Sequence, residues 1–463
     1  MVVAAGLAAT PAHAQLDALN DAALHGDLAR IVALIAQGAA IDGDGSGYSP
    51  LMFAAGWGQT EAVRLLLRHG ASPAYRDHNG DRALLWAAKR GHAGAVALLL
   101  ASGDPADSDL DPYGRPPLFD ASLYGRVDVV RLLLEAGADP NWRDQTNDTP
   151  LHAASTWGQA EVVALLLAAG AEVNPRDDIF QWAPIHRAAR DKDTEALRRI
   201  VAAGGDVTLR DWKGRTPLWL AAEVGFANNV AFLVESGAAA DTRDDAGITA
   251  FAAATSMNRN DERPDDFHAT ALALASHVTE LDAAFADAAW VGFSDIATML
   301  IGRGARASGL DSLGRPALAG AAMNAGGELF ELMLANGAEV TSDGPAALLA
   351  AAELGRDDLV RRLLDLGVPV DTRDRQGGTA LLVAAAQGRT EVVGTLLAAG
   401  ADRTARDATG LDAEARMNRE IRMLLDELEG LMSSRALQPT EHIDTRLAEL
   451  RFEHQRIRLL LAG

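Results

Sequence analysis

One pattern, recurring about every 33 residues, limits what this chain can fold into. The segment "TPLHAASTWGQAEVVALLLAAGAEVN" (149–174) aligns without gaps on "SPLMFAAGWGQTEAVRLLLRHGASP" (49–73). With the apolar residue after the Pro as an anchor, the series runs Leu19, Leu51, Leu84, Leu118, Leu151, Ile185, Leu218, Phe251, Phe285, Leu318, Leu348 and Leu381. A degenerate thirteenth unit starts near Glu414. Eleven of the twelve carry apolar residues 12, 15 and 16 positions past the anchor and Gly 19 past it, as in Val130, Leu133, Leu134 and Gly137 after Leu118. Phe251 fails, offering Arg263, Asp266, Phe267 and Thr270. Such a period means a stack of small modules, because one module cannot bury its own apolar stripe and its neighbours can.

Each module reads as two short helices. Pro sits in the first turn of the first helix, where its missing N–H is no loss. Small Ala residues two and three past the anchor let the next pair approach closely. A Gly seven past it, such as Gly58 or Gly158, ends that helix in a left-handed conformation. The second helix carries a 3.6-period stripe such as Val162, Val163, Leu166 and Leu167. A Gly-Ala step then leads into an Asp/Gly turn, read as a hairpin finger. Composition agrees: 463 residues are too many for one core, and aromatics are only 5%.

Thr149-Pro150-Leu151-His152-Ala153-Ala154 resembles the T-P-L-H-x-A signature of the ankyrin repeat, as found in bacterial multi-ankyrin-repeat proteins. Residues 183–188 and 216–221 match it with one change each. The resemblance covers residues 16 to about 425. It implies an all-α solenoid of about twelve helix-turn-helix units with hairpin fingers and a C-terminal helical cap. Regular repeats are expected over 16–257 and 284–411. The 258–283 stretch, with six charged residues in "RNDERPDD", reads as an irregular repeat or kink, with a functional loop as the other reading. Two amphipathic helices over 412–463 read as the cap, and self-association through the last helix is the runner-up. The resemblance also implies that the motif histidine, here His152 and His186, bonds backbone in its own turn region. Contacts with partners are implied at the finger tips and the exposed side of the first helix.

Several chemistries are excluded. The chain has no cysteine, so disulfides and thiolate sites are impossible. Net charge is −22, and of 42 basic residues only Lys89, Lys192 and Lys213 are lysines. Such a chain lacks the basic stripe that nucleic acid or an anionic membrane would need, and no segment is long enough to span a bilayer. No phosphate-binding loop, zinc-protease motif or nucleophile elbow is present. The start of "IDGDGSGYSPLMF" imitates a calcium loop. Its twelfth position is Phe53 where a bidentate Glu is required, and in register Asp44 is a turn aspartate. Neither a metal, a cofactor nor a catalytic residue is expected. The recurring Arg-Asp pair, as in Arg143-Asp144 or Arg210-Asp211, reads as a ladder of charges between neighbouring fingers. Residues 1–14 resemble the remnant of a signal peptide, with a small-x-small site at Ala12-His13-Ala14. They point to a periplasmic or secreted protein, with a cytoplasmic one as the alternative.

The aromatic residues carry the functional expectation. Five slots, at −6, −5, −3, +5 and +6 from the anchor, cover the finger tip and the outer side of the first helix. They hold eight of the twelve Trp and Tyr: Tyr48, Trp57, Tyr113, Tyr124, Trp157, Trp182, Trp212 and Trp290. Chance would place about two there in this repeat geometry. Phe180 occupies one of these slots as well. Exposed rings on a rigid scaffold form protein-binding hot spots. The alternative is that these rings pack on one another and on Arg stems. Residues 48–212 are therefore expected to be the partner surface of a non-enzymatic protein–protein interaction scaffold. An inhibitor or immunity-type protein, or a regulatory subunit of an enzyme, stands as the alternative function.

Overall fold

The computed structural model describes residues 11–42, 47–107, 110–256, 264–324, 327–419, 422–423 and 441–462. The described residues form helices joined by turns, with only isolated bridges such as Arg373–Thr379 in place of strands. None of the helices is long and apolar enough to cross a membrane. The chain divides into two compact units, residues 1–246 and 247–463.

Within the first unit, helix pairs such as Pro150–Thr156 and Ala160–Ala168 repeat. The first helix starts on a capped turn: Thr149 Oγ1 accepts the His152 N–H, and Ser49 Oγ accepts the Met52 N–H. It ends at a Gly the chain can turn only with positive φ, +73° at Gly58. Across both units all twelve anchors are at most 1% exposed, and each such Leu stabilises its stack by about 2 kcal/mol. The stripe of the second helix differs in one respect from expectation. Residues 11, 12 and 15 past the anchor are buried, as in Val129, Val130 and Leu133. The residue 16 past it, Leu134 or Leu67, is only half-buried on the shoulder.

Fingers are tight Asp-x-x-Gly-x turns rather than ladders of strand pairs. In each, the Asp carboxylate accepts two backbone N–H groups of its own turn. Asp111 takes those of Tyr113 and Arg115, both at 2.8 Å, and Asp211 takes Lys213 and Arg215 at 2.9 and 2.8 Å. The fourth residue has positive φ, and where Gly is missing Asn147 adopts it at +61°. The expected ladder of charges is present in part. The Asp is held inside its finger, and the Arg before it reaches the next finger's backbone: Arg176 donates to the Arg210 carbonyl, and Arg210 to that of Arg243. Charge pairs between neighbouring fingers are present at Arg143–Glu172, 2.7 Å, Arg115–Asp144, 2.9 Å, and Arg210–Asp245, 3.3 Å. Asp44 lies outside the described residues. Asp42, the first residue of the calcium-like segment, instead accepts the Ser72 N–H at 2.6 Å.

In the second unit two modules lose their fingers. After the helix Ala250–Thr255, the helix Pro264–Ala275 packs as a displaced second helix, burying Phe267, Ala271, Leu274 and Ala275. Residues 257–263 lie outside the described residues. The next helix, Leu281–Val291, begins ahead of its anchor Phe285, so a helical turn replaces the finger. Arg303 closes this short connection, donating to the carbonyls of Ala275 and Val278. Likewise one helix, Val340–Leu354, runs straight into the anchor Leu348, which accounts for the shortened spacing there. The helix Glu441–Ala462 packs on Thr390–Ala398, burying Ile457 and pairing Arg458 with Glu414 at 2.9 Å. Leu424, Leu425, Leu428 and Leu431 of the preceding amphipathic segment lie outside the described residues, as do residues 1–10.

Candidate partner-binding site

Finger tips of the first unit are tied into a rank by backbone hydrogen bonds. Gln145 N–H donates to the Tyr113 carbonyl at 3.2 Å, and Asp178 N–H to that of Thr146 at 2.9 Å. Trp212 N–H donates to the Phe180 carbonyl at 3.1 Å, and Asp245 N–H to that of Lys213 at 2.9 Å. Tyr113, Phe180 and Trp212 are thus set on a continuous, hydrogen-bonded edge rather than on independent loops. One extra residue in the 177–182 finger, absorbed by Gln181 at φ +56°, pushes out Ile179 and Phe180, 58% and 41% exposed.

The motif histidines brace this edge from below. The Nδ1 atom of His152 accepts the Thr149 N–H at 3.1 Å, which leaves Nε2 to donate to the Trp182 carbonyl at 3.0 Å. His186 does the same between Ala183 N–H and the Leu209 carbonyl. The own-turn bond implied by the resemblance is present, and the second bond crosses to the next module. Burial pushes His152 down to about 3 and His186 down to about 4, so both are neutral. A half-buried guanidinium works beside them: Arg187 donates to Asp148 at 2.6 Å, Asp177 at 3.0 Å and Thr156 at 3.2 Å. Burial raises Asp148 to about 6 even with Arg187 against it.

The eight candidate rings divide by environment. Trp157, Tyr113 and Trp212 are the most open, at 64%, 62% and 54% exposure. Tyr124, Trp57 and Phe180 are also exposed. Tyr48 and Trp182 are half-buried, contrary to the exposure expected from their slots. Tyr48 packs edge-on against Trp86 and Phe53, and the Trp182 indole donates to Asp211 at 3.0 Å. Packing on rings and Arg stems therefore describes part of the set: the Arg90 guanidinium lies 3.9 Å over Trp57 and also faces Trp86. Phe180 stacks on Trp182 at 5.2 Å. Trp290, in the second unit, is likewise half-buried, with Arg315 3.8 Å over its ring. Sorting by Trp and Tyr missed Ile179 and Trp86. The one-residue lengthening of its finger was the signal for Ile179. Trp86 sits on a helical slot, two past Leu84, whose occupant varies between modules, from Ala153 to Phe53, Asp120 and Arg187.

A family model described as ankyrin repeats in three copies matches residues 8–77, 75–144, 107–177, 185–277 and 318–407. An ankyrin repeat-containing protein of Treponema pallidum (strain Nichols) is 38% identical over 92 residues, 20% of this chain and 31% of that one. Glycerophosphocholine phosphodiesterase gde1 of Schizosaccharomyces pombe is 28% identical over 180 residues, 38% of this chain but 13% of its own. This chain thus spans a third or less of the length of both. Cyclin-dependent kinase 4 inhibitor B of Bos taurus is 36% identical over 155 residues, 33% of this chain and 91% of that protein. Among solved structures, the human ASB11 ankyrin repeat domain is similar at 26% identity and a TM-score of 0.43, covering 46% of this chain and 96% of that domain. The helix pairs, the finger turns and the matched family model agree, and this chain belongs to the ankyrin repeat family.

Proposed function

We propose that this chain is a non-enzymatic recognition scaffold that holds a protein partner along the finger tips and first-helix ends of residues 48–212. Ankyrin repeats mediate protein–protein interaction, and that is the general role of the fold. The observation that carries the finer reading is the rank of hydrogen-bonded fingers bearing open rings at Tyr113, Phe180 and Trp212, with Trp157 on an adjacent helix end. Rigid aromatic anchors lose little entropy on binding, so they concentrate affinity. The match to a relative named as a kinase inhibitor over 91% of that relative's length supports the second reading, an inhibitor or regulatory subunit that binds one enzyme.

Replacing Trp157, Phe180 and Trp212 together with Ala tests both readings. Trp182 is left intact because its indole bonds Asp211. Proteins retained by the wild-type chain from a native lysate should be lost by the triple variant, while the helical circular dichroism and melting temperature stay the same. Equal capture by the two proteins rules the surface out.

A further inference from the structure

We infer that a cavity between the modules anchored at Leu84 and Leu118 is a receptor for an arginine side chain of the protein partner. The inference rests on the reading that residues 48–212 meet a protein. The cavity is about 450 Å³ and opens between finger and first helix. Its walls include Trp86, Tyr113 and Tyr124, and three carboxylates, Asp81, Asp111 and Asp120, face it.

Asp120 is the unusual member. Its side chain is 4% exposed, and its Oδ2 has no hydrogen-bond partner among the described residues. The slot two past the anchor is Ala153 in the next module. Three other modules place a charge there, and all are satisfied. Asp21 accepts from Arg30 at 2.6 Å. Arg187 is held by Asp148 and Asp177, and Asp287 accepts the Ser312 N–H at 2.8 Å and hydroxyl at 2.6 Å. A buried carboxylate with an open oxygen destabilises the fold, so packing does not explain Asp120. Asp81, which also lines the cavity, adds a second buried oxygen without a hydrogen-bond partner, its Oδ1, among the described residues.

The resident cations leave both oxygens open. Arg90 is stacked on Trp57 and donates to the Gly56 carbonyl at 3.1 Å. Arg126 donates to the Lys89 carbonyl at 3.2 Å. Lys89 Nζ stays 3.8 Å from Asp120 Oδ2, beyond hydrogen-bond distance, with its side chain half in solvent. Asp111 spends its Oδ1 on its own turn. Two separated acceptors between flat aromatic walls match a planar guanidinium, which carries five donors, sheds water readily and stacks on rings. An ammonium offers a point charge and no plane. The chain's charge of −22 favours a cationic visitor over an anionic one.

The test uses the full chain and a probe, Nα-acetyl-arginine methylamide, followed through the Trp86 indole N–H resonance, which the Trp86→Phe variant identifies. A saturable shift is expected with the arginine probe. The lysine analogue should bind more weakly, and the citrulline analogue, equal in shape but uncharged, should give none. Asp120→Asn should weaken the arginine probe about tenfold, the worth of one charge-assisted hydrogen bond, without lowering the melting temperature. Absence of a saturable shift, equal binding of citrulline, tighter binding of lysine, or an unaffected Asp120→Asn variant would each overturn the inference. The probe requires no partner, so its failure is distinct from that of the triple aromatic variant: loss of capture with no probe binding would remove this receptor and leave the scaffold reading standing.

Discussion

His152 is fully buried, and burial holds its imidazole neutral by pushing its pKa to about 3, well below the usual 6.5. Its two ring nitrogens are spent on the Thr149 N–H and the Trp182 carbonyl, so it works as a bracket between modules. His152→Ala should cost about 2–4 kcal/mol, from the cavity and the two unpaired backbone groups. The pH dependence has a definite sign. A histidine with a depressed folded pKa contributes fully above its unfolded value and loses that contribution as pH falls below about 6.5. The deficit of the variant should therefore be largest near neutral pH and shrink by up to about 1.4 kcal/mol per unit below it. Urea titrations at pH 8 and pH 5 measure this, and a deficit independent of pH would show that the buried imidazole is not the cause. The histidine's slot was legible from the T-P-L-H-x-A motif. Its reach to the next module was not, because the acceptor is a carbonyl 30 residues away. The Arg-Asp pairs were only partly legible for the same reason: each Asp turns into its own finger, whereas Arg210 reaches both a carbonyl and Asp245 on the next one.

At the scale of single elements, glycines separate into those the chain needs and those it tolerates. Gly58 has φ +73°, and an added Cβ would lie 2.5 Å from His92 Nδ1 in the next module. Gly58→Ala should destabilise by about 1–2 kcal/mol through strained φ alone, more with the clash. Gly394 lies inside the helix Thr390–Ala398 with nothing near its absent Cβ. Gly394→Ala should stabilise by about 1 kcal/mol, the difference in helix propensity. Thermal melts of the two variants should move in opposite directions, and a shared direction would refute this account of the turns. Element types and the anchor register were readable because a 33-residue period repeats its physics many times. The fingerless modules were harder to read. A template of fixed register finds no stripe after Phe251, since the helix Pro264–Ala275 starts four positions late relative to its equivalents. The shortened step before Leu348 was visible as a number, but not as the continuous helix that causes it.

For the molecule as a whole, the proposed scaffold reading assigns approach to charge and retention to the aromatic edge. A chain of net charge −22 attracts a basic partner at long range, and salt screens that attraction. Once the partner is in hand, raising NaCl from about 50 to about 500 mM should slow association several-fold and change dissociation much less. Stopped-flow or surface-plasmon measurements would read the two rates. An association rate insensitive to salt would mean that the acidic surface does not steer binding.

The sequence by itself determined the module, its period, its anchors and its family, because a stripe that must be buried at fixed spacing leaves one way to stack. It also marked which slots would carry rings. Only the tertiary structure decided which rings stay open: Trp157 and Tyr113 emerge, whereas Tyr48 and Trp182 are claimed by Trp86 and Asp211 from the adjoining module. The physical reason is range. Periodicity is local and repeats along the chain, but exposure and unpaired charge, as at Asp120, depend on what residues about 30 positions away place against them.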